Sequence, residues 1–204
     1  MTKENIEKTE RLIGRFIRFM GEPIYSRPVP QHMIKYFDDL LIKDDGDASI
    51  VVQLWKRYGF SGYRNGLFWI VDPREYYSLT KLFDELNDEA IVFGRSATGN
   101  LFLWQWIKTI QKPKIAHFNV HTRKLTYVSD NMRDFFHYHI ISDKSWQENF
   151  SGGIEFSVIE KYELAGHDEC YAFFPPLVLG GRENIAQMEK VKMKEHLAVL
   201  AQLH

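Results

Sequence analysis

Cysteine is nearly missing from this chain of 204 residues: Cys170 stands alone. A single thiol closes no internal disulfide, so a disulfide-stapled scaffold is excluded and a reducing, cytoplasmic setting is the expectation. An excess of either charge is lacking too. There are 26 Lys and Arg against 27 Asp and Glu, a formal net charge of −1, whereas a dedicated nucleic-acid binder carries a clear basic excess. No apolar run approaches the ~20 residues of a membrane span. The charged opening, residues 1–10, has no apolar stretch behind it of the kind a cleaved signal peptide needs. Internal repeats and low-complexity tracts are also missing. What is plentiful is aromatic side chains. Five Trp, 10 Tyr and 15 Phe make up 15% of the chain. They must either build a bulky core or stand on a recognition surface, where Trp and Tyr dominate binding energy.

Periodicity gives the elements. Residues 5–20 read as an amphipathic helix with Ile6, Leu12, Ile13, Phe16, Ile17 and Phe19 largely on one face and Gly21 as its stop. Three prolines in residues 23–30 predict an extended connector. Short helices come next at 33–41 and 48–58, separated by the acidic turn Asp44-Asp45-Gly46-Asp47. Gly59, Gly62 and Gly66 read as turn residues, and Trp55, Phe68 and Trp69 as core. Residues 67–71 read as a strand. Asp72-Pro73 then sets an N-cap and first turn for a helix to about residue 86. Two hairpins are predicted, 90–95 with 101–107 and 114–120 with 124–128. Helices at 130–141 and 154–164 come after them, then a short strand at 171–174. The chain closes at 188–203 as a helix with a regular or irregular start. Helices, then mostly antiparallel strands, then helices predict an α+β fold: a mostly antiparallel sheet flanked by helices, with a small helical C-terminal part packed on it. The polar stretch 142–153, ending in two glycines, marks the expected division into 1–141 and 142–204.

Chemistry-bearing residues do not converge in the sequence. His117 and His121 are four apart, but on strand and turn, so they share no helical face for a metal. His137 and His139 lack a metalloprotease Glu. Cys170, beside His167, Asp168 and Glu169, precedes an apolar strand and reads as a small buried hydrophobe. The Gly94–Gly99 stretch lacks the Gly-Lys-Ser/Thr ending of a phosphate loop and leads into a strand. No catalytic residue, metal ligand or cofactor is expected. The one charge signal is acidic. From residue 35 to 89 there are 7 basic and 11 acidic residues, with Asp38, Asp39, Asp44, Asp45 and Asp47 clustered near one helix end. Such a cluster is either a solvated face or a surface that meets a basic partner.

Four strings occur in order: Leu54-Trp55-Lys56-Arg57-Tyr58-Gly59-Phe60-Ser61-Gly62-Tyr63; Asn65-Gly66-Leu67-Phe68-Trp69-Ile70-Val71-Asp72-Pro73-Arg74-Glu75-Tyr76; Arg95-Ser96-Ala97-Thr98-Gly99-Asn100-Leu101-Phe102-Leu103-Trp104; and Asp168-Glu169-Cys170-Tyr171-Ala172-Phe173-Phe174-Pro175-Pro176-Leu177-Val178-Leu179-Gly180-Gly181. With the tail 191–203, they resemble a GAD-like domain followed by the small C-terminal domain of Tdi-type immunity proteins. Thr98 stands where that pattern usually has Phe, and Pro176 where it usually has Ala. The order of elements also looks like the SUKH type of immunity fold. The resemblance implies a cytoplasmic antidote that binds a cognate type VI secretion DNase effector, with the acidic cluster as the candidate contact. It implies neither catalysis nor direct nucleic-acid or membrane binding. Covering the toxin's DNA groove and holding its catalytic residues apart both remain open. The alternative is a small-ligand or regulatory module, which an aromatic pocket between the two parts would favour.

Overall fold

The structure, a computed structural model, describes residues 3–45, 49–86 and 89–203. Helix α1 (Lys3–Met20) turns Leu12, Ile13, Phe16 and Met20 inward, a spacing that keeps them on one helical face. It stops at Gly21, whose φ of +80° is open to glycine and whose N–H reaches Ile17 O at 2.8 Å. The proline-rich stretch is more ordered than expected. Tyr25–Arg27 form an edge strand, β1, and the prolines fall outside it, where no ladder N–H is needed. After α2 (Gln31–Asp45) and α3 (Ile50–Tyr58) comes a second unexpected strand, β2 (Phe60–Tyr63), paired antiparallel with β1. Its glycines, read from sequence as turn residues, hid it. Gly62 instead lies in the ladder, opposite Trp69 of β3 (Phe68–Ile70), where the indole ring needs the space.

The sheet continues through β4 (Ile91–Ser96), β5 (Leu101–Ile107), β6 (Lys112–Asn119) and β7 (Lys124–Ser129). The result is a seven-stranded antiparallel meander in sequence order. Both predicted hairpins are present. Strand alternation sends Phe68, Ile70, Phe93, Phe102, Trp104 and Ile115 to one face, against α1, α2 and α3. That face is closed by α5 (Met132–Asp134), which widens into a π turn over Phe135–His139. The Ile140 N–H bonds to Phe135 O at 3.0 Å, five residues back, and the wide turn lets consecutive Phe135 and Phe136 both enter the core.

Val92, Leu101, Leu103, Ala116 and Phe118 occupy the other face. There the expected helix to residue 86 is corrected. Asp72 does cap, its Oδ1 accepting the Arg74 N–H at 3.0 Å. The cap opens only a 3-10 turn, Pro73–Glu75, and one short helix, α4 (Tyr77–Thr80). Beyond it the N–H groups of Leu82, Phe83 and Leu86 bond three residues back, and this tight coil aims Phe83 and Leu86 into the core.

The C-terminal stretch also departs from expectation. Residues 142–153 are not a bare polar break: α6 (Asp143–Asn149), capped by Ser142, buries Trp146 completely, and Phe150 turns inward after it. After α7 (Ile154–Lys161), β8 (Glu169–Phe173) pairs with β9 (Met188–Lys192), so the irregular start of the last helix is a strand. Helix α8 (Met193–Gln202) then lays Met193, Leu197, Leu200 and Ala201 on the second face of the sheet.

The close fit of Gly62 is testable. A Cβ there would stand 2.7 Å from Cζ3 of Trp69. Gly62→Ala is expected to lower stability by ~1–3 kcal/mol, the usual cost of overpacking, measured as the urea midpoint against wild type. An unchanged midpoint would show that the indole has room to move.

Candidate partner-binding groove and the junction core

Two places gather chemistry, and they are built differently. The first is a cavity of about 1240 Å³ on the helix-covered face of the sheet. Period-two alternation places Phe102, Trp104 and Trp106 of β5 on that face in a row. Phe102 and Trp104 are covered by core, but Trp106 lies further along the strand and is half-buried, 6.4 Å from the Trp104 ring. Facing them, α2 presents His32, Met33, Tyr36, Phe37 and Leu40, positions that recur on one helical face. Pro73, Arg74 and Tyr77 form the third wall. Met33 and Phe37 are buried, while Tyr36 is 63% and Tyr77 59% exposed. The pocket is therefore an apolar floor with aromatic lips.

Its charges are already matched within the chain. Arg74 holds Asp72 through two bonds, Nε to Oδ1 at 3.0 Å and Nη2 to Oδ2 at 2.7 Å. Lys108 pairs with Glu89 at 3.0 Å. Beside the groove, Lys81 Nζ sits 4.1 Å from the Tyr77 ring centroid and donates to its hydroxyl at 2.9 Å. The cavity lies within the first part of the chain rather than between the two parts.

The second place is the junction where the β4–β5 hairpin meets the C-terminal part. Glu155, on the first turn of α7, is fully buried. Its Oε2 accepts the Thr98 N–H at 3.1 Å, and its Oε1 accepts Thr98 Oγ1–H at 2.5 Å and Asn100 Nδ2–H at 3.2 Å. Burial pushes this carboxyl up, and the hydrogen bonds pull it back. Arg95 is buried as well. It donates to the carbonyls of Ser96, Gly166 and His167 and lies 4.7 Å over the Trp69 ring. Cys170 is fully buried, its thiol pushed up to about 12 by burial. His121 meets His196 of α8 at 5.6 Å between ring centroids, and its Nε2 pairs with Thr98 O at 2.9 Å. Burial lowers both imidazoles to about 4, and His117, packed on Phe102 and Phe150, to about 3. These displaced groups are locked in packing, away from the residues that line the groove. Neither place assembles a nucleophile, a base and an oxyanion donor around open space among the described residues.

The sequence-predicted contact residues fall on and beyond α2. Asp38 Oδ2 accepts from Lys56 at 3.2 Å, a pair that ties α2 to α3. Asp39 is exposed. Asp44 and Asp45 are placed only as the backbone end of α2, and Asp47 lies outside the described residues. The groove itself was not foreseen. The alternation of Phe102, Trp104 and Trp106 was its one sequence signal.

Known families match this chain in tandem. A family model described as a GAD-like domain matches residues 11–116, and one described as T6SS immunity protein Tdi1, C-terminal, matches residues 129–204. Among solved structures, the chain is similar to the crystal structure of Atu4351 from Agrobacterium tumefaciens. The two are 15% identical with a TM-score of 0.73, over 93% of this chain and 88% of that one. At that identity the likeness speaks to the fold. No curated protein matches. Among the described residues, no helix is long and apolar enough to cross a membrane.

The buried imidazoles predict an acid response. Each has a folded pKa below its unfolded value of about 6.5, so the unfolded chain binds more protons between the two values. Their stabilisation is complete above pH ~6.5 and is lost as pH falls toward about 4 for His121 and His196 and about 3 for His117. Each contributes a slope approaching ~1.4 kcal/mol per pH unit. Glu155, raised in the fold, acts in the opposite sense, since it loses stability as pH rises past the unfolded carboxylate value. Urea midpoints should therefore drop between pH 6.5 and 5, before most carboxylates titrate. The His121→Gln/His196→Gln variant should fall less steeply. Equal slopes would place the sensitivity elsewhere.

Proposed function

We propose that this chain, which belongs to the GAD-like domain family and carries the C-terminal domain of type VI secretion immunity proteins, binds a cognate nuclease effector and neutralises it in the cytoplasm. The observation that carries this reading is the tandem of family matches, residues 11–116 and then 129–204, in one continuous α+β fold. The physical character of the molecule supports it. The strongly displaced titratable groups are packed into the core, while the open surface offers the aromatic side chains Tyr36 and Tyr77 and, on α2, the exposed Asp39. That is the equipment of a binder, which needs anchors in a concave surface and charges to steer the encounter.

The near-neutral total charge argues against mimicry of DNA by the whole molecule. A local acidic patch suits a basic effector surface, because long-range attraction raises the association rate and fixes orientation. A dissociation constant near 1 nM corresponds to about −12 kcal/mol, which a standard interface of roughly 1,600 Å² supports when a few desolvated anchors dominate.

Co-expression with a candidate nuclease effector, sought among the genes that flank this one, tests the reading: survival should be rescued and a complex should co-purify. Neutralising Asp44, Asp45 and Asp47 together to Asn should slow association several-fold at low ionic strength and flatten its salt dependence. Unchanged association at low salt would remove the acidic run from the contact, and failure of the wild type to protect or bind would remove the function.

A further inference from the structure

Helix α2 carries two features that neither the family matches nor the fold explains: a wall of an aromatic groove, and an acidic end. The groove residues of α2 finish at Leu40. Asp44 and Asp45 come about one helical turn later, and along Gln31–Asp45 two lysines stand against four aspartates, of which Asp38 is held by Lys56. The aromatic-lipped cavity of about 1240 Å³ exceeds the ~300–1,000 Å³ of ordinary small-molecule pockets. It suits a row of side chains from another polypeptide.

Charge decides what kind of polypeptide. Inside the groove Arg74 is taken up by Asp72 and Lys108 by Glu89, so a charged insert would meet no free counter-charge and would lose its hydration. Beyond the groove, along the same helix, the surplus is negative. The complementary occupant is apolar where it enters and basic where it leaves. A protein that handles DNA phosphates carries basic segments of that kind.

We infer that the groove bounded by α2, Trp104, Trp106 and Tyr77 is the docking site for an amphipathic segment of the nuclease effector, its apolar side chains seated between Tyr36 and Trp106 and its basic flank over the C-terminal end of α2. This rests on the immunity function proposed above. Two physical terms then divide the work: the aromatic lips hold the segment, and the aspartates bring it in.

The test uses the full chain and a catalytically inactivated form of the nuclease effector that co-expression pairs with it, titrated at low and high salt. Tyr36 and Tyr77 are exposed enough that Tyr36→Ala/Tyr77→Ala folds as wild type, checked by its urea midpoint. This variant should bind at least tenfold more weakly at both salt concentrations, chiefly through faster dissociation. Leu179→Ser, on an exposed loop of the C-terminal part, should bind as wild type. Full binding by the tyrosine variant would overturn the groove while leaving the immunity function standing. No binding by the wild type would overturn both. Sedimentation velocity of the chain alone guards against another occupant. A self-associated species that the tyrosine variant abolishes would assign the groove to a second copy and overturn the proposal.

Discussion

The junction between the β4–β5 hairpin and the C-terminal part is built around one buried carboxyl group, that of Glu155. Glu155 has no contact with solvent, so its desolvation must be met by hydrogen bonds from the protein. Thr98 and Asn100 provide them from the tip of the β4–β5 hairpin. Because Glu155 lies in the first turn of α7, the positive end of that helix adds to its stabilisation. Asn100 also accepts the Val120 N–H through its Oδ1 at 3.0 Å, so the same side chain ties β6 into the network. One carboxylate thus fixes hairpin, sheet and C-terminal part in a single register. Arg95, on the same hairpin, bonds the carbonyls of Gly166 and His167 just ahead of β8. Breaking either contact strands a buried polar group, which costs more than the bond itself contributes.

The aromatic surplus stems from the same two-faced sheet. A seven-stranded sheet covered on both sides needs large, flat fillers between layers. Phe16, Phe68, Phe93, Phe102, Phe118, Phe135, Phe136 and Phe150 are fully or almost fully buried. They meet mostly edge to face, as Phe16 with Tyr63 at 4.9 Å and Phe102 with Phe150 at 5.1 Å. The core reading of the composition therefore holds for most of the aromatics, while Tyr36, Tyr77 and the half-buried Trp106 stand at the lips of the groove. The exposed positions suit Tyr, whose hydroxyl tolerates water at a surface, although Trp55, Trp69, Trp104 and Trp146 are as buried as the phenylalanines.

What the sequence made legible was whatever depended on local pattern. The α1 period, the Asp72 cap, the two central hairpins and the α+β order all come from residues within a few positions of one another. The errors came where a distant partner decided. Phe60–Tyr63 is a strand because β1 and Trp69 lie beside it, yet its glycines alone read as turns. Residues 81–86 abandon the helix because Phe83 and Leu86 have a core to reach. Trp146 and Phe150 are hidden in a polar-looking segment because the sheet face above them is open. The groove is the extreme case. Alternation along β5 puts Trp104 and Trp106 on one face, but that α2 leaves space beside Trp106 depends on how far every covering helix extends. The acidic residues were visible as a cluster, whereas the engagement of Asp38 with Lys56 depends on how α2 packs against α3.

The placement of apolar and charged character on one helix bears on how tight binding and fast recognition can coexist. An exposed charge acts over a Debye length, ~8 Å at physiological ionic strength, and mostly changes the rate of encounter. A desolvated aromatic anchor acts at contact and mostly changes the rate of escape. Mixing them in the same few square ångströms weakens both, because a charge inside the pocket must be desolvated and an aromatic among charges stays wet. Separating them by a helical turn avoids the conflict. The internal pairing of Arg74 with Asp72 and Lys108 with Glu89 serves the same end: it keeps the groove electrically quiet. On the function proposed above, such an arrangement divides the work: charge outside the groove speeds capture, and contacts that water does not reach slow escape.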